Sequence, residues 1–305
     1  MKAAAYNYIN VGNAINFFAT DLQRCKNEKT GRKAFNMKLS CCSTMVPGAS
    51  LTEKAEKLKK WGYDGMALFV DYEVWTTELF DEIRHIEENT GIVPCEFVFG
   101  DAVYGHLMDE EHAIRDACRA MYRTAAEICA EIGAVTELEY SYGTQRSLPL
   151  FSPYQKMNKS RRAEFLAVYQ ELLKPLEGTK GRLLLENINR YESPFLNSVQ
   201  DCLDVLDELN HENAGLLMDF FHMSIEERSL PETIRKAGDK ISYIHLGDSN
   251  RLLPGAGHTD WKACFGELKK IGYSGFLNLE CCPGDDPEIS LPLTARFLRG
   301  LMSDE

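Results

Sequence analysis

The chain has 305 residues, 44% of them hydrophobic and 26% charged, and a formal net charge of −12 at pH 7. This composition is typical of a globular protein with a sizeable core and excludes an intrinsically disordered chain. The negative charge argues against a nucleic-acid partner, because such a surface needs clustered lysine and arginine side chains. No apolar run approaches the roughly 18 residues of a membrane helix, so no membrane partner is expected.

Ten cysteines occur along the chain, as single residues and as the pairs Cys41-Cys42 and Cys281-Cys282, without any CxxC spacing. Small domains held by disulfides show a different spacing, so we predict reduced thiols and a cytoplasmic protein. The first five residues resemble the start of a signal peptide, but the asparagines that follow interrupt any apolar core.

Residues 1–34 precede the first predicted strand. In this segment Ile9, Ile15, Phe18 and Leu22 approximate an apolar stripe at helical spacing. Because an apolar stripe of this kind must be covered, we predict a helical N-terminal extension over residues 1–34. It would pack on the outside of the main domain or on a neighbouring subunit.

From residue 35 onward, short apolar runs alternate with amphipathic helical stretches. The predicted strands are 35–45, 66–70, 93–99, 135–140 and four runs that end at Glu186, Asp219, His245 and Glu280. The predicted helices are 50–61, 76–89, 111–132, 158–176, 199–209, 231–237, 261–270 and 291–301. About eight strand–helix units without a linker indicate the α/β class, with a single (β/α)8 TIM barrel over residues 35–305.

The last four predicted strands each end in a side chain that can bind a metal. Side chains alternate along a strand, so Glu186, Asp219, His245 and Glu280 are expected to point into the barrel at its carboxyl end. A single carboxylate at a strand end is more often a helix cap or a salt-bridge partner. Three converging carboxylates repel one another and are costly to bury, so a cation is the natural compensation. The residue types predict a divalent cation that prefers oxygen and nitrogen ligands.

The motifs around these residues resemble those of the xylose-isomerase-like sugar isomerase and epimerase superfamily. The resemblance is closest to its D-tagatose 3-epimerase and D-psicose (allulose) 3-epimerase group. It rests on Glu186-Asn-Ile-Asn-Arg-Tyr-Glu192, Asp219-Phe-Phe-His222, the stretch from His245 to Arg251, and Glu280.

The resemblance implies that Glu186, Asp219, His245 and Glu280 bind a divalent metal. It implies manganese (Mn²⁺), with Mg²⁺, Co²⁺ or Zn²⁺ as alternatives. Glu186 and Glu280 would also form a catalytic acid/base pair that inverts C3 of a free ketose through a cis-enediolate. The substrate-binding residues would be Glu192, His222 and Arg251. Their simpler interpretation is that they support the metal-binding residues or form an ordinary salt bridge in a loop. A small sugar is the expected substrate, and a homo-oligomer, a dimer or tetramer, is the expected assembly.

Two features depart from the family pattern. The first strand ends in Cys41-Cys42-Ser43 where many relatives have an aromatic residue, and Ala67 lies on the second strand where many members of the superfamily carry a glutamate. These departures leave the sugar open.

Three alternative functions remain. One is another isomerase or dehydratase of the superfamily, acting on an inosose or on hydroxypyruvate, although the joint presence of Glu192, His222 and Arg251 favours a ketose epimerase. A second is an endonuclease-IV-like hydrolase, which needs further histidines at the ends of the second and third strands. A third is a sugar-binding barrel without catalysis.

Overall fold

The computed structural model of the chain describes residues 36–143 and 155–303. The predicted extension, residues 1–34, lies outside them. Within the described residues, eight parallel strands close into a barrel in sequence order. They are β1 (Lys38–Cys42), β2 (Gly65–Asp71), β3 (Val93–Gly100), β4 (Val135–Leu138), β5 (Arg182–Glu186), β6 (Ala214–Asp219), β7 (Ile241–Leu246) and β8 (Phe276–Leu279). The predicted (β/α)8 barrel is therefore confirmed.

Helices connect the strands and pack their apolar faces against them. They are α1 (Leu51–Trp61), α2 (Thr77–Thr90), α3 (His112–Ile132), α4 (Lys159–Leu173), α5 (Val199–Leu209), α6 (Phe220–Glu226), α7 (Leu230–Ala237), α8 (Trp261–Lys270) and α9 (Pro287–Met302). Their starts follow local signals: Ser50, Thr76 and Asn158 each accept a hydrogen bond from the backbone three residues ahead. None of the helices in the described ranges is both long enough and apolar enough to span a membrane.

One helix was not predicted. The sequence indicated a single helix, 231–237, between β6 and β7, but the short helix α6 comes first and follows β6 directly. The Oδ1 atom of Asp219 caps α6 by accepting a hydrogen bond from the backbone N–H of His222 at 2.9 Å. A seven-residue helix is too short to show a clear apolar period, which is why the pattern missed it.

The barrel interior below the strand ends is filled by side chains. Cys95, Leu184, Leu217 and Tyr243 form a buried cluster there. Three of them stand two residues before Glu186, Asp219 and His245, as expected from the alternation of side chains along a strand. The cluster is therefore a floor beneath the predicted metal-binding residues.

Candidate active site

The structure brings the four predicted metal-binding residues together at the carboxyl end of the barrel. Their possible ligand atoms all lie within 4.8 Å of one another. The Nδ1 atom of His245 is 2.7 Å from Glu280 Oε2, 3.2 Å from Glu186 Oε1 and 3.9 Å from Asp219 Oδ2. Three carboxylates thus surround the Nδ1 atom of the imidazole ring.

The charges of these neighbouring groups influence one another's pKa values. Burial raises the pKa of Glu186 well above its usual value. Burial also opposes the ionisation of Glu280, but His245 and Arg251 together hold its pKa down, at about 2. The carboxylates of Glu96, Glu280 and Glu186 raise the pKa of His245 well above its usual value despite the burial of the ring. The centre of the cluster therefore favours a positive charge.

Asp219 shows most directly what kind of group fits this centre. The residue is fully buried, and its Oδ2 atom has no hydrogen-bond partner within the described residues. A buried carboxylate oxygen without a partner is costly, and a cation removes that cost. Three carboxylates and one imidazole nitrogen are also a suitable donor set for a divalent ion such as Mn²⁺. The residues present therefore fit the implied metal.

The three predicted substrate-binding residues lie beside this cluster. His222, in α6, is buried, and its Nδ1 atom is 3.2 Å from the backbone nitrogen of Asn189 and 2.7 Å from the Asn189 side-chain nitrogen. The same side-chain nitrogen donates to Glu192 Oε1 at 2.8 Å. Arg251 approaches from the loop after β7, with Nη1 3.2 Å from His222 Nε2 and Nη2 3.4 Å from Glu280 Oε1. The structure thus places Glu192, His222 and Arg251 together beside the cluster.

The loop that carries Arg251 is built around Asp248. The carboxylate of Asp248 accepts four hydrogen bonds, from the backbone N–H groups of Ser249, Gly255 and Thr259 and from the indole N–H of Trp261. Arg251 has a φ angle of 58°, a conformation that is uncommon for a residue other than glycine. Its backbone N–H donates to the Asp248 carbonyl at 2.8 Å, which helps to hold that conformation. The sequence motif contained Asp248, but its role as the anchor of the loop was not predicted.

These groups border a cavity of about 200 Å³. Glu186, Glu280, His222 and Arg251 line it together with Phe69, Val98, Phe99, Gly100, Tyr104, Glu137, Glu139, Tyr142 and Ile188. A slightly larger cavity, about 240 Å³, is bordered by Arg84 and Glu131. Those two side chains pair with each other at 2.6 Å, and no cluster of metal-binding groups accompanies them in the described residues. The smaller cavity is therefore the candidate substrate site.

Glu137, in β4, and Glu139, directly after it, both line the cavity. Neither was predicted from the sequence. The hydroxyl of Tyr104 lies 2.5 Å from Glu137 Oε1 and also contacts Glu139, which accepts a second hydrogen bond from Tyr122 at 2.6 Å. A phenol has only one hydrogen to donate, so one of the two carboxyl groups must carry a proton. Burial raises the pKa of both Glu137 and Glu139 above the usual value, which favours a protonated carboxyl group in this pair. The alternation Glu137-Leu138-Glu139 in a predicted strand was the available signal.

Glu96, in β3, was also missed. It is fully buried, and its two carboxylate oxygens lie 3.0 and 3.2 Å from His245 Nε2. The signal in the sequence was a single glutamate within the apolar run from Val93 to Phe99. The register of β2 and β3 shifts between Met66 and Ala67, which pair with Pro94 and Glu96 and leave Cys95 as an extra residue. This bulge changes which residues of β3 face inward, so simple alternation could not place Glu96.

Comparison with known proteins agrees with this geometry. Residues 55–301 match the family model described as "Xylose isomerase-like TIM barrel". The chain is 38% identical over 119 residues to a D-psicose 3-epimerase from Enterocloster bolteae, a match that covers 39% of this chain and only 40% of that protein. It is 25% identical over 239 residues to a 3-dehydro-D-guloside 4-epimerase from Escherichia coli, covering 76% of this chain and 87% of that protein.

Solved structures share the fold. A D-psicose 3-epimerase from Clostridium cellulolyticum H10, determined with D-tagatose, superposes with a TM-score of 0.75 at 22% sequence identity. The superposition covers 88% of this chain and all of that one. At this level of identity, the likeness supports the barrel architecture alone.

Proposed function

The chain belongs to the xylose isomerase-like TIM barrel family, and from that premise we propose that it is a divalent-metal-dependent epimerase that inverts C3 of a free ketose. The observation that supports this most strongly is the set of four proposed ligand residues, Glu186, Asp219, His245 and Glu280, within 4.8 Å of one another beside a cavity of about 200 Å³. Mn²⁺ is the ion we propose. When bound, a divalent cation supplies Lewis-acid chemistry that polarises a carbonyl and favours negative charge on the neighbouring oxygens.

Inversion at a carbon needs a base on one face of the substrate and an acid on the other. Glu186 is the last residue of β5, and Glu280 comes directly after β8, which is three strands farther around the barrel. Both residues border the cavity. In one direction, one of these glutamates takes the C3 proton and the other returns a proton to the opposite face. In the reverse direction, the two glutamates exchange roles.

His222 and Arg251 are suited to hold the oxygen atoms at the C1–C2 end. Nδ1 of His222 accepts from a backbone N–H, so the hydrogen of the neutral ring lies on Nε2 and faces the Arg251 guanidinium at 3.2 Å. Two donors that converge in this way suit one partly negative oxygen, such as the oxygen on C2 during proton transfer. Glu192, fixed through Asn189, would accept a hydrogen bond from a substrate hydroxyl.

We also propose that the protein is cytoplasmic and acts on a small sugar as a homo-oligomer, a dimer or tetramer. All nine cysteines within the described part of the chain are free, in keeping with a reducing compartment. The endonuclease-like alternative has little support, because β2 and β3 end at Asp71 and Gly100 and neither end offers a histidine.

The test is a screen of free ketohexoses and ketopentoses in D₂O with Mn²⁺, with chelator-treated enzyme as the control. We expect formation of the C3 epimer together with deuterium at C3. A second candidate is inversion of C4 next to a C3 ketone, which is favoured by the long match to a 4-epimerase. For this candidate the screen also includes 3-keto sugars. Deuterium at C4 of a 3-keto sugar would select that reaction, and no exchange with any ketose or 3-keto sugar of the screen would contradict both.

A further inference from the structure

Glu96 contacts the side of His245 that faces away from the three other carboxylates. The imidazole lies between them: Nε2 is 3.0 Å from Glu96 Oε1, whereas Nδ1 is 2.7 Å from Glu280 Oε2. Both Glu96 and His245 are fully buried. We propose that Glu96 is a positioning residue that holds the hydrogen of His245 on Nε2 and so keeps Nδ1 free to bind the metal. This inference rests on the proposed metal-binding role of the four-residue cluster.

The fold directs Glu96 to this position through the bulge in β3. Cys95 is the extra residue of the bulge, and its thiol lies 3.2 Å from the Tyr243 hydroxyl inside the barrel. In a regular strand, Glu96 would point to the opposite side from Cys95. Because of the bulge, both side chains point inward, and bulges often serve to redirect a side chain next to an active site. The neighbour of Glu96 on β2 is Ala67. The small side chain of Ala67 leaves space for the glutamate at this level of the barrel.

The partners of Glu96 favour this role over an ordinary structural ion pair. Among the described residues, His245 is the only basic side chain within 4.0 Å of Glu96. Its other polar partners in the described residues are neutral: the Asn278 side-chain nitrogen, which is 3.3 Å from Glu96 Oε2, and the Tyr243 hydroxyl. Asn278 is the register neighbour of His245 on β8, so it supports the carboxylate from beside the ring. Among the partners within the described residues, the imidazole of His245 is therefore the one that can carry a positive charge beside this buried carboxylate.

The chemical consequence follows from the structure of imidazole. A neutral ring has one N–H and one lone pair, and a metal binds the nitrogen with the lone pair. A carboxylate that accepts the N–H fixes which nitrogen is free, orients the ring and makes it a stronger ligand. Loss of such a partner typically weakens metal binding about 10- to 100-fold.

The experiment compares wild-type protein with Glu96→Gln, Glu96→Ala and the control Glu139→Gln. Glu139→Gln removes a carboxylate from the same interior, but Glu139 does not touch His245. The measurements are the Mn²⁺ dissociation constant, by competition with a fluorescent chelator, and the visible absorption spectrum of bound Co²⁺, which reports the ligand field. Circular dichroism confirms that each variant is folded.

We expect Glu96→Gln, which keeps one acceptor oxygen, to weaken Mn²⁺ binding less than Glu96→Ala, with the latter about 10- to 100-fold weaker than wild type. Both should change the Co²⁺ spectrum, whereas Glu139→Gln should leave it as in wild type. Equal weakening by Glu96→Gln and Glu139→Gln would overturn the inference, because loss of charge alone would explain it. Unchanged binding in both Glu96 variants would overturn it as well, while leaving the proposed function intact. A wild-type protein that binds no Mn²⁺ would refute the proposed function itself.

Discussion

The backbone N–H of Asn189 donates a hydrogen bond to Nδ1 of His222 over 3.2 Å. Because a backbone N–H can only donate, Nδ1 must be the unprotonated nitrogen of the ring. Burial lowers the pKa of His222, which keeps the ring neutral with its hydrogen on Nε2. The pair therefore sets the direction in which His222 can donate, which is on the side of Arg251, another residue that lines the cavity.

This relationship predicts the effect of Asn189→Ala. The change removes the side-chain donor to His222 and the donor to Glu192, while the backbone N–H remains. Two hydrogen bonds correspond to about 1–3 kcal/mol, or roughly five- to a hundred-fold in kcat/KM. Steady-state kinetics on the best ketose tests this, with Tyr191→Ala as the control because Tyr191 lies in the same loop and is exposed. Equal losses in the two variants would assign the effect to the loop rather than to His222.

Metal removal is predicted to lower both activity and stability. Four proposed ligand residues converge here, and one buried oxygen of Asp219 has no hydrogen-bond partner among the described residues. A ligand that binds only the folded state stabilises it by about 2.7 kcal/mol at a concentration one hundred times its dissociation constant. Chelator treatment should lower the melting temperature, and added Mn²⁺ should restore it. A melting temperature insensitive to both treatments would contradict the metal site.

The two glutamates of the proposed acid/base pair can be tested separately. Glu186→Gln and Glu280→Gln keep the shape of the side chain but cannot exchange a proton, so each should abolish epimerisation. Each variant still has one glutamate, which should exchange the C3 proton of one epimer with D₂O without inversion. The two variants should therefore label opposite epimers, as measured by NMR. Metal content is measured in parallel, because both residues are also proposed ligands. Near wild-type turnover in either variant would require another acid or base.

Arg251 is predicted to bind substrate without binding the metal. Its guanidinium reaches His222 and Glu280 from a strained backbone position, and its planar set of donors cannot be reproduced by a lysine. Arg251→Lys and Arg251→Ala should both raise KM and retain bound metal. Loss of a charge-assisted hydrogen bond of about 1.5–3 kcal/mol corresponds to roughly ten- to a hundred-fold in kcat/KM. Unchanged kinetics would make Arg251 an ordinary loop residue.

The sequence predicted the barrel because strand and helix periods repeat along it. It predicted the convergence of Glu186, Asp219, His245 and Glu280 because parallel strands end at one edge. It did not predict Glu96, since the bulge at Cys95 reverses the alternation of β3 and depends on pairing with β2. Nor did it predict the anchoring role of Asp248, whose donors come from as far along the chain as Trp261. Such contacts depend on loop conformation and cannot be inferred from a local pattern.

Asp248 leads to a prediction about pH and stability. Although burial opposes its ionisation, the hydrogen bonds from Trp261 and from the backbone hold the pKa of Asp248 below its usual value. A carboxyl group with a lowered folded-state pKa adds stability above its unfolded pKa of about 3.9, and this contribution is lost as the pH falls through the folded-state pKa. In Asp248→Asn, the amide nitrogen would face N–H donors, at a cost of about 1–3 kcal/mol at neutral pH. Below about pH 4, the difference in unfolding free energy between wild type and variant should therefore shrink.

Urea denaturation at pH 7 and pH 3 measures that difference, and kinetics at pH 7 reports on the loop. Asp248→Asn should raise KM, because the same loop carries Arg251. Gly257→Ala is the matched variant: a Cβ atom at Gly257 would lie 2.3 Å from Asp248 Oδ1 and would displace the carboxylate without removing its charge. It should raise KM as Asp248→Asn does. A difference in unfolding free energy that stays constant from pH 7 to pH 3 would show that the charge of Asp248 does not stabilise the loop. A KM equal to that of wild type in both variants would show that the conformation of this loop does not affect substrate binding.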